Sequence, residues 1–232
     1  MIHGINDYEK LKVIRPILGD HLCDNQHMPV MHKVTEDMLD LDHAKALNLQ
    51  NLNNKHNNSD KIVLPFTYDK KILRYWNDPF KYIPVLQTAM AVGTPDYSVY
   101  PSMNPIEISH NIYQNRWLGC LWQTYGCRAI PTIAWALPNT FDICFSGVEY
   151  GSIVIISTVG CVEHQFEFMQ GYDEMMTRIN PQLIIVYGKV LSGMYGRFLQ
   201  YSYTDAFNKE SSSYKQLTLF DISPIFERKR GL

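Results

Sequence analysis

The sequence is poor in the marks that usually announce a function. It has no Gly-x-x-x-x-Gly-Lys phosphate loop, no Gly-x-Gly-x-x-Gly dinucleotide turn and no Gly-x-Ser-x-Gly nucleophile elbow. The commonest nucleotide- and ester-handling chemistries therefore leave no signature. It also lacks a Cys-x-x-Cys pair. The five cysteines, Cys23, Cys120, Cys127, Cys144 and Cys161, are an odd set standing mostly among apolar residues. That suits free thiols in a reducing compartment better than a disulfide framework. Charge of one sign is not in excess either, with 21 basic residues against 23 acidic. No overall field draws the chain to nucleic acid or to an anionic membrane, and direct nucleic-acid binding is expected nowhere outside the basic Arg228-Lys229-Arg230. Long apolar runs are missing too. Nothing approaches the roughly 18 residues of a membrane helix, and "MIHGINDYEKLKVIRPI" carries charges in place of the apolar stretch of a secretory signal. A soluble, cytoplasmic protein with no membrane partner is the expectation.

What is present is a core. At 232 residues and 46% hydrophobic, the chain can build one large domain or two small ones. Residues 1–60 read as an irregular N-terminal extension with one helix over Val34 to Leu49, ending in the Asn-rich loop "NLNNKHNNSD". From Lys61 the texture changes. "KIVLPF" predicts a strand, and "DKKILRYWNDPFKYIPVLQTA" predicts helical pieces broken at Pro79 and Pro84. A strand ends at "AMAVGTPDYS". The Asn104-Pro105 pair then opens a long helix that stops at Gly126. "RAIPTIAW", "SIVIISTVG" and "QLIIVYG" predict three more strands, with a helix at "QGYDEMMTRINP" before the last. Short, nearly continuous apolar strands alternating with helices imply right-handed crossovers and a parallel sheet. The predicted fold is α/β, a trimmed or incomplete (β/α) barrel-like domain over 61–205, because a full eightfold barrel needs about 250 residues. Residues 206–232 form a tail or a closing strand.

In such folds ligands lie beyond the C-terminal ends of the strands. Those ends carry Asp96 and Ser98, Trp135, Thr158, and Tyr187 with Lys189, a polar and aromatic rim that suits a small-ligand pocket. Asn111 and Arg116 face the same region from the long helix. Asp96 is the candidate acid–base group, and Arg116, which as a buried charge needs a partner, is its expected ion-pair mate. His21, Cys23, His27 and His32 are metal-ligand types, but their spacing fits no regular zinc template, so no metal site is assigned. His164, near Glu163 and Glu167, has the residue types for acid–base work but reads as an exposed loop histidine. No cofactor is indicated.

Over about Val63 to Lys189 the chain resembles a family of bacterial and phage proteins catalogued as domain of unknown function 4417. The blocks that carry the likeness are "YWNDPFKY", "TPDYSVYPSMNP", "NIYQNRWLG", "GCRAIPTIAW", "FDICFSGV", "GSIVIISTVG" and "GYDEMMTRINPQLIIVYGK". The family pattern stresses the positions of Asp96, Ser98, Asn111, Arg116, Trp135, Gly160, Tyr187 and Gly188. It has an arginine where Gln114 stands here, which implies altered or absent recognition of a ligand charge if that arginine touches one. The resemblance implies a phage or mobile-element setting in a bacterial host and imports no reaction.

Near the C-terminal end, the pentapeptide Gln216-Leu217-Thr218-Leu219-Phe220 follows the polar stretch from Asn208 to Lys215. It resembles the peptide by which bacterial polymerases and replication initiators dock on the sliding clamp. There the Gln216 amide would take a polar subsite, with Leu217, Leu219 and Phe220 filling an apolar one. The same residues alternate at period 2, as a final strand does. Two functions follow. One is a phage or mobile-element accessory protein acting at the host replication machinery or against a host system, docked through this peptide on a sliding clamp or another host protein. The other is a small α/β-barrel enzyme acting on a small ligand at the strand ends. Both hold together in a clamp-tethered enzyme.

Overall fold

The computed structural model describes residues 5–202 and the backbone of 215–217. Its centre is a run of parallel strands in sequence order: β1 (Lys45–Asn48), β2 (Lys61–Leu64), β3 (Ala91–Gly93), β4 (Ala129–Ile130), β5 (Ile153–Ser157), β6 (Leu183–Tyr187) and β7 (Phe198–Tyr201). β4 and β5 are linked by a parallel bridge between Thr132 and Ile155, where Ile133 N donates to Ile155 O at 2.8 Å. The helices are α1 (Asp7–Lys10), α2 (Asp69–Asn77), α3 (Ile83–Leu86), α4 (Pro105–Thr124), α5 (Phe141–Cys144) and α6 (Gln165–Ile179).

The period-2 alternation of the strands sorts their side chains between two surfaces. Ala46, Ile62, Leu64, Ala91, Ile130, Ile153, Ile155, Leu183, Ile185, Leu199 and Tyr201 pack together as one inner cluster drawn from all seven parallel strands. Their neighbours face outward under the helices. Val63, Val92 and Ala129 lie beneath α2 to α4, whereas Val154, Ile156, Ile184, Val186 and Phe198 lie beneath α6. A single inner cluster fed by every strand is the interior of a curled, barrel-like sheet. Among the described residues no backbone ladder joins β7 to β1. Across that seam Tyr201 Oη donates to Ala44 O at 3.1 Å. On the free edge of β7 lies an antiparallel strand, β8 (Lys215–Leu217), with Leu217 opposite Phe198. Gln216 and Leu217 thus pair with β7. Leu219 and Phe220 lie outside the described residues.

Two expectations change. The helix expected over Val34 to Leu49 is instead two 3-10 turns, Glu36–Met38 and Leu41–His43, followed by β1. Ala46 and Asn48 are buried while Lys45 is exposed and Leu47 half-buried, so tertiary pairing with β2 overrides the helix-like spacing. Pro79 does end α2, but Pro84 sits in the first turn of α3, where the missing N–H costs nothing.

α4 has no polar face over its middle, since every residue from Ile112 to Trp122 is buried. The reason is the N-terminal segment, which covers its outer side. Tyr113 Oη donates to Arg15 O, Trp117 Nε1 to Pro16 O and Thr124 Oγ1 to Leu18 O. A Cβ on Gly119 would come within 2.4 Å of Met31 Sδ, so a larger residue there would have to move the Met31 side chain.

Candidate functional site

The C-terminal strand ends enclose three adjoining hollows, of about 150, 380 and 250 Å3. Asp96, just beyond β3, lines all three. The smallest also has Phe66, Ile133, Trp135, Ser157 and Phe168 on its walls. The largest is bounded by Gln50, Tyr68, Lys71 and Tyr187, and the third by Asp69, Ser98 and Tyr100. Each therefore pairs aromatic surface with a few polar groups, as small-ligand sites do.

Among the described residues no hydrogen bond or ion pair reaches the Asp96 carboxylate. Burial, helped by the nearby Asp69 carboxylate, raises its pKa to about 7. Desolvation disfavours the charged form and a like charge adds to that. A carboxyl poised near neutrality and facing a hollow is equipped to give or take a proton.

The loop that presents Asp96 is held from below by a buried polar knot. Asn115 Nδ2 donates to Pro95 O at 2.8 Å, and Asn115 Oδ1 accepts from Thr94 Oγ1 at 2.8 Å and from Arg116 Nη1 at 2.5 Å. Thr132 N donates to Thr94 Oγ1 at 2.9 Å, so the knot ties the ends of β3 and β4 together. Asn111 Nδ2 donates to Ser98 O at 2.7 Å and fixes the next turn of the same loop.

The expected Asp96–Arg116 ion pair is not formed. Arg116 is fully buried, and its guanidinium donates to Ser146 O at 2.9 Å, Cys144 O at 3.0 Å and Thr132 O at 3.1 Å. Burial lowers its pKa to about 10, which leaves it charged at neutral pH, neutralised by carbonyl dipoles in place of a carboxylate. Its position is that of a clamp between α4, β4 and the α5 turn, and it lines none of the three hollows.

The remaining sequence candidates divide. Ser98, Trp135 and Tyr187 line the hollows with Asp96, and Tyr187 stacks on Phe66 at 4.8 Å between ring centroids. Thr158 is buried, with Thr158 N donating to Tyr187 O at 3.0 Å, and serves the β5–β6 junction. Lys189 is exposed and is on none of these walls, and Gln114 is buried inside α4. His164 sits in an exposed 3-10 turn before α6. Sequence reasoning missed Phe66, Tyr68, Asp69 and Lys71, all just after β2. The signal is in the chain, because these residues directly follow the "KIVLPF" strand and so stand at its C-terminal end. Asn115 was missed as well. A three-residue polar run, Gln114-Asn115-Arg116, inside an apolar helix was its mark.

Trp135 is positioned by contact with α6. Its ring packs on Phe168 at 4.9 Å and Phe145 at 5.9 Å between centroids. A Cβ on Gly171 would lie 2.1 Å from Trp135 Cδ1. Because that atom is near the root of a stiff side chain, Gly171→Ala must push the indole into the smallest hollow. We expect a loss of about 1–3 kcal/mol from overpacking and a change in Trp135 fluorescence. Trp135→Leu in the same chain should restore much of the stability. An unchanged melting temperature in Gly171→Ala would show that the indole lies elsewhere.

The family profile of "Domain of unknown function (DUF4417)" matches residues 33–202, and the chain belongs to that family. Two similar curated proteins are phage products. A "Gene 1 protein" of Mycobacterium phage L5 is 35% identical over 54% of this chain and 56% of its own length. That of Mycobacterium phage D29 is 34% identical over 54% of this chain and 47% of its own. The chain thus spans about half the length of the curated relatives it matches. No solved structure matches it. Among the described residues no helix is long and apolar enough to cross a membrane.

Proposed function

We propose that this DUF4417 protein serves a phage or another mobile element as a small α/β-barrel enzyme. It would act on a compact ligand held at the C-terminal strand ends, with Asp96 as the acid–base group. The observation that carries this reading is the Asp96 carboxyl itself, unbonded, raised to about 7 and common to three hollows. A structural aspartate would be hydrogen-bonded to its turn, as Asp24 is to Gln26 N and Met28 N. Phe66, Tyr68, Trp135 and Tyr187 supply flat apolar contact, and Lys71, on the wall of the largest hollow, supplies a cation for an anionic group. Asn111, Asn115 and Arg116 are positioning residues. A thermal-shift panel of nucleotides, sugars and amino acids tests the reading. At least one class should stabilise the wild type and Lys189→Ala but not Asp96→Asn. A panel in which every compound acts alike on wild type and Asp96→Asn would overturn it.

A second reading, docking on a bacterial sliding clamp or another host protein through Gln216 to Phe220, rests on the pentapeptide alone. Gln216 and Leu217 lie in β8, so docking requires that this strand leave β7. The peptide "YKQLTLFDI" should then bind a purified bacterial clamp, and Leu219→Ala with Phe220→Ala should abolish binding by the whole chain without lowering its melting temperature. If the pair instead seals the sheet, the same change costs several kcal/mol, since burying each such side chain contributes about 1.5–3 kcal/mol. Peptide that fails to bind at high micromolar concentration ends the docking reading.

A further inference from the structure

The end of the barrel opposite Asp96 carries a second group of chemically active side chains. Asp20, His21 and His32 each present one ligand atom, and these three atoms lie within 4.8 Å of one another. The chain brings them together by zipping the ends of a short loop. Val30 N donates to Leu22 O at 2.8 Å and Asp24 N to Met28 O at 3.0 Å, around a Cys23–Pro29 bridge. His32 is then fastened to α4, its N donating to Gln123 Oε1 at 2.9 Å while Gln123 Nε2 donates to His32 O at 2.8 Å. Gln123 Nε2 also donates to Ala129 O, which puts the group beside the start of β4.

The three donors are close enough to share one ion. His21 is buried, and its Nδ1 lies 2.9 Å from Val30 O. A carbonyl only accepts, so Nδ1 carries the hydrogen; the Cys120 carbonyl also approaches the ring, and an ion at Nε2 would have to compete with that contact. The bond from Nδ1 to Val30 O is the usual way of fixing a metal-ligating imidazole. The His32 ring stacks on that of His21 at 4.2 Å, so sharing an ion requires the exposed His32 ring to turn out of the stack. It lies between two carboxylates, Asp20 at 3.2 Å and Glu149 at 3.6 Å. Two imidazoles beside a carboxylate, with a further carboxylate on one ring, is a first-row divalent donor set with its outer support.

We propose that Asp20, His21 and His32 bind a zinc-type divalent cation, with Glu149 orienting His32. Ligand distances near 2.0–2.2 Å place tetrahedral donors about 3.3 Å apart, so the exposed Asp20 and His32 side chains must draw in by about 1–1.5 Å. The fourth position is left to water. Sequence spacing alone hides this site, because Cys23 and His27 of the same segment stay out of it and the third donor is the carboxylate of Asp20. The ion staples two passes of the N-terminal segment to α4 and to the loop before β5. Its place at the N-terminal face of the strands suits a stabilising role.

The test uses tag-free chain, stripped with chelator and titrated with zinc chloride or cobalt chloride. One equivalent should bind. At saturation the melting temperature should rise by roughly 5 °C, and cobalt should give visible absorption without a thiolate charge-transfer band. Cys23→Ser should behave as wild type, whereas His32→Gln and Asp20→Asn, both at exposed positions, should each lose the shift and the absorption. Absence of binding, or equal binding by wild type and both variants, overturns the site.

Discussion

Arg116→Met should lower stability by about 3 kcal/mol or more, a fall of roughly 10 °C in melting temperature for a chain of this size. The substitution keeps volume and removes the charge, so the cost falls on the acceptors left behind. Asn115 Oδ1 keeps Thr94 Oγ1, and Thr132 O keeps a 3.3 Å bond from Asn115 Nδ2. Ser146 O and Cys144 O lose the guanidinium bonds shown for them. A buried acceptor left without a partner costs about 1–3 kcal/mol. Arg116→Lys retains the charge but not the planar fork that reaches three backbone carbonyls, so it should recover only part of the loss. The pairing found here also fixes the outcome of a double change. Asp96→Asn with Arg116→Leu should be additive within about 0.5 kcal/mol, because the two side chains share no bond. Rescue of one change by the other would restore the ion pair that the sequence suggested. Chemical denaturation of the single and double variants reads this directly.

How much of this was legible beforehand depended on whether a residue's role is local. Strands β2, β3, β5 and β6 and the start of α4 could be read because apolar runs, Asn104-Pro105 and the glycine stops are signals in the chain itself. β1 could not, since nothing local distinguishes Lys45 to Asn48 from a helix end, and only pairing with β2 makes it a strand. β7 was lost for the same reason. Of the site, Asp96, Ser98, Trp135 and Tyr187 followed from the rule that ligands sit past parallel strands, which needs only the order of elements. The roles of Arg116 and Thr158 could not follow. Their partners are backbone carbonyls from other elements, and a carbonyl has no letter in a sequence. The helix α4 shows the same limit. Its largely apolar, fully buried middle reads as core, yet the cover on its outer side comes from residues 15–32, roughly a hundred positions earlier.

Asp96→Asn should make the protein more stable, and increasingly so as pH rises. The folded-state pKa is about 7, above the ordinary value near 3.9 that the unfolded chain has. The native state therefore binds this proton more tightly, and wild-type stability falls as pH climbs from about 4 to about 7, then levels. A pKa of about 7 in place of about 3.9 corresponds to about 4 kcal/mol, and the open hollows reduce that to about 2–4 kcal/mol. Asparagine has no charge to bury, so the advantage of the variant should be small at pH 5 and nearly full at pH 8. Asp69→Asn gives the control. Removing the second carboxylate should move the midpoint of the wild-type profile to lower pH, because Asp69 is part of what raises Asp96. A difference between Asp96→Asn and wild type that stays flat from pH 5 to pH 8 would mean that Asp96 is an ordinary solvated carboxylate. A slope of the expected sign means that the fold tolerates an unfavourable charge at the mouth of the barrel. Among the described residues no contact repays that cost, as expected of a carboxyl kept for the ligand proposed above.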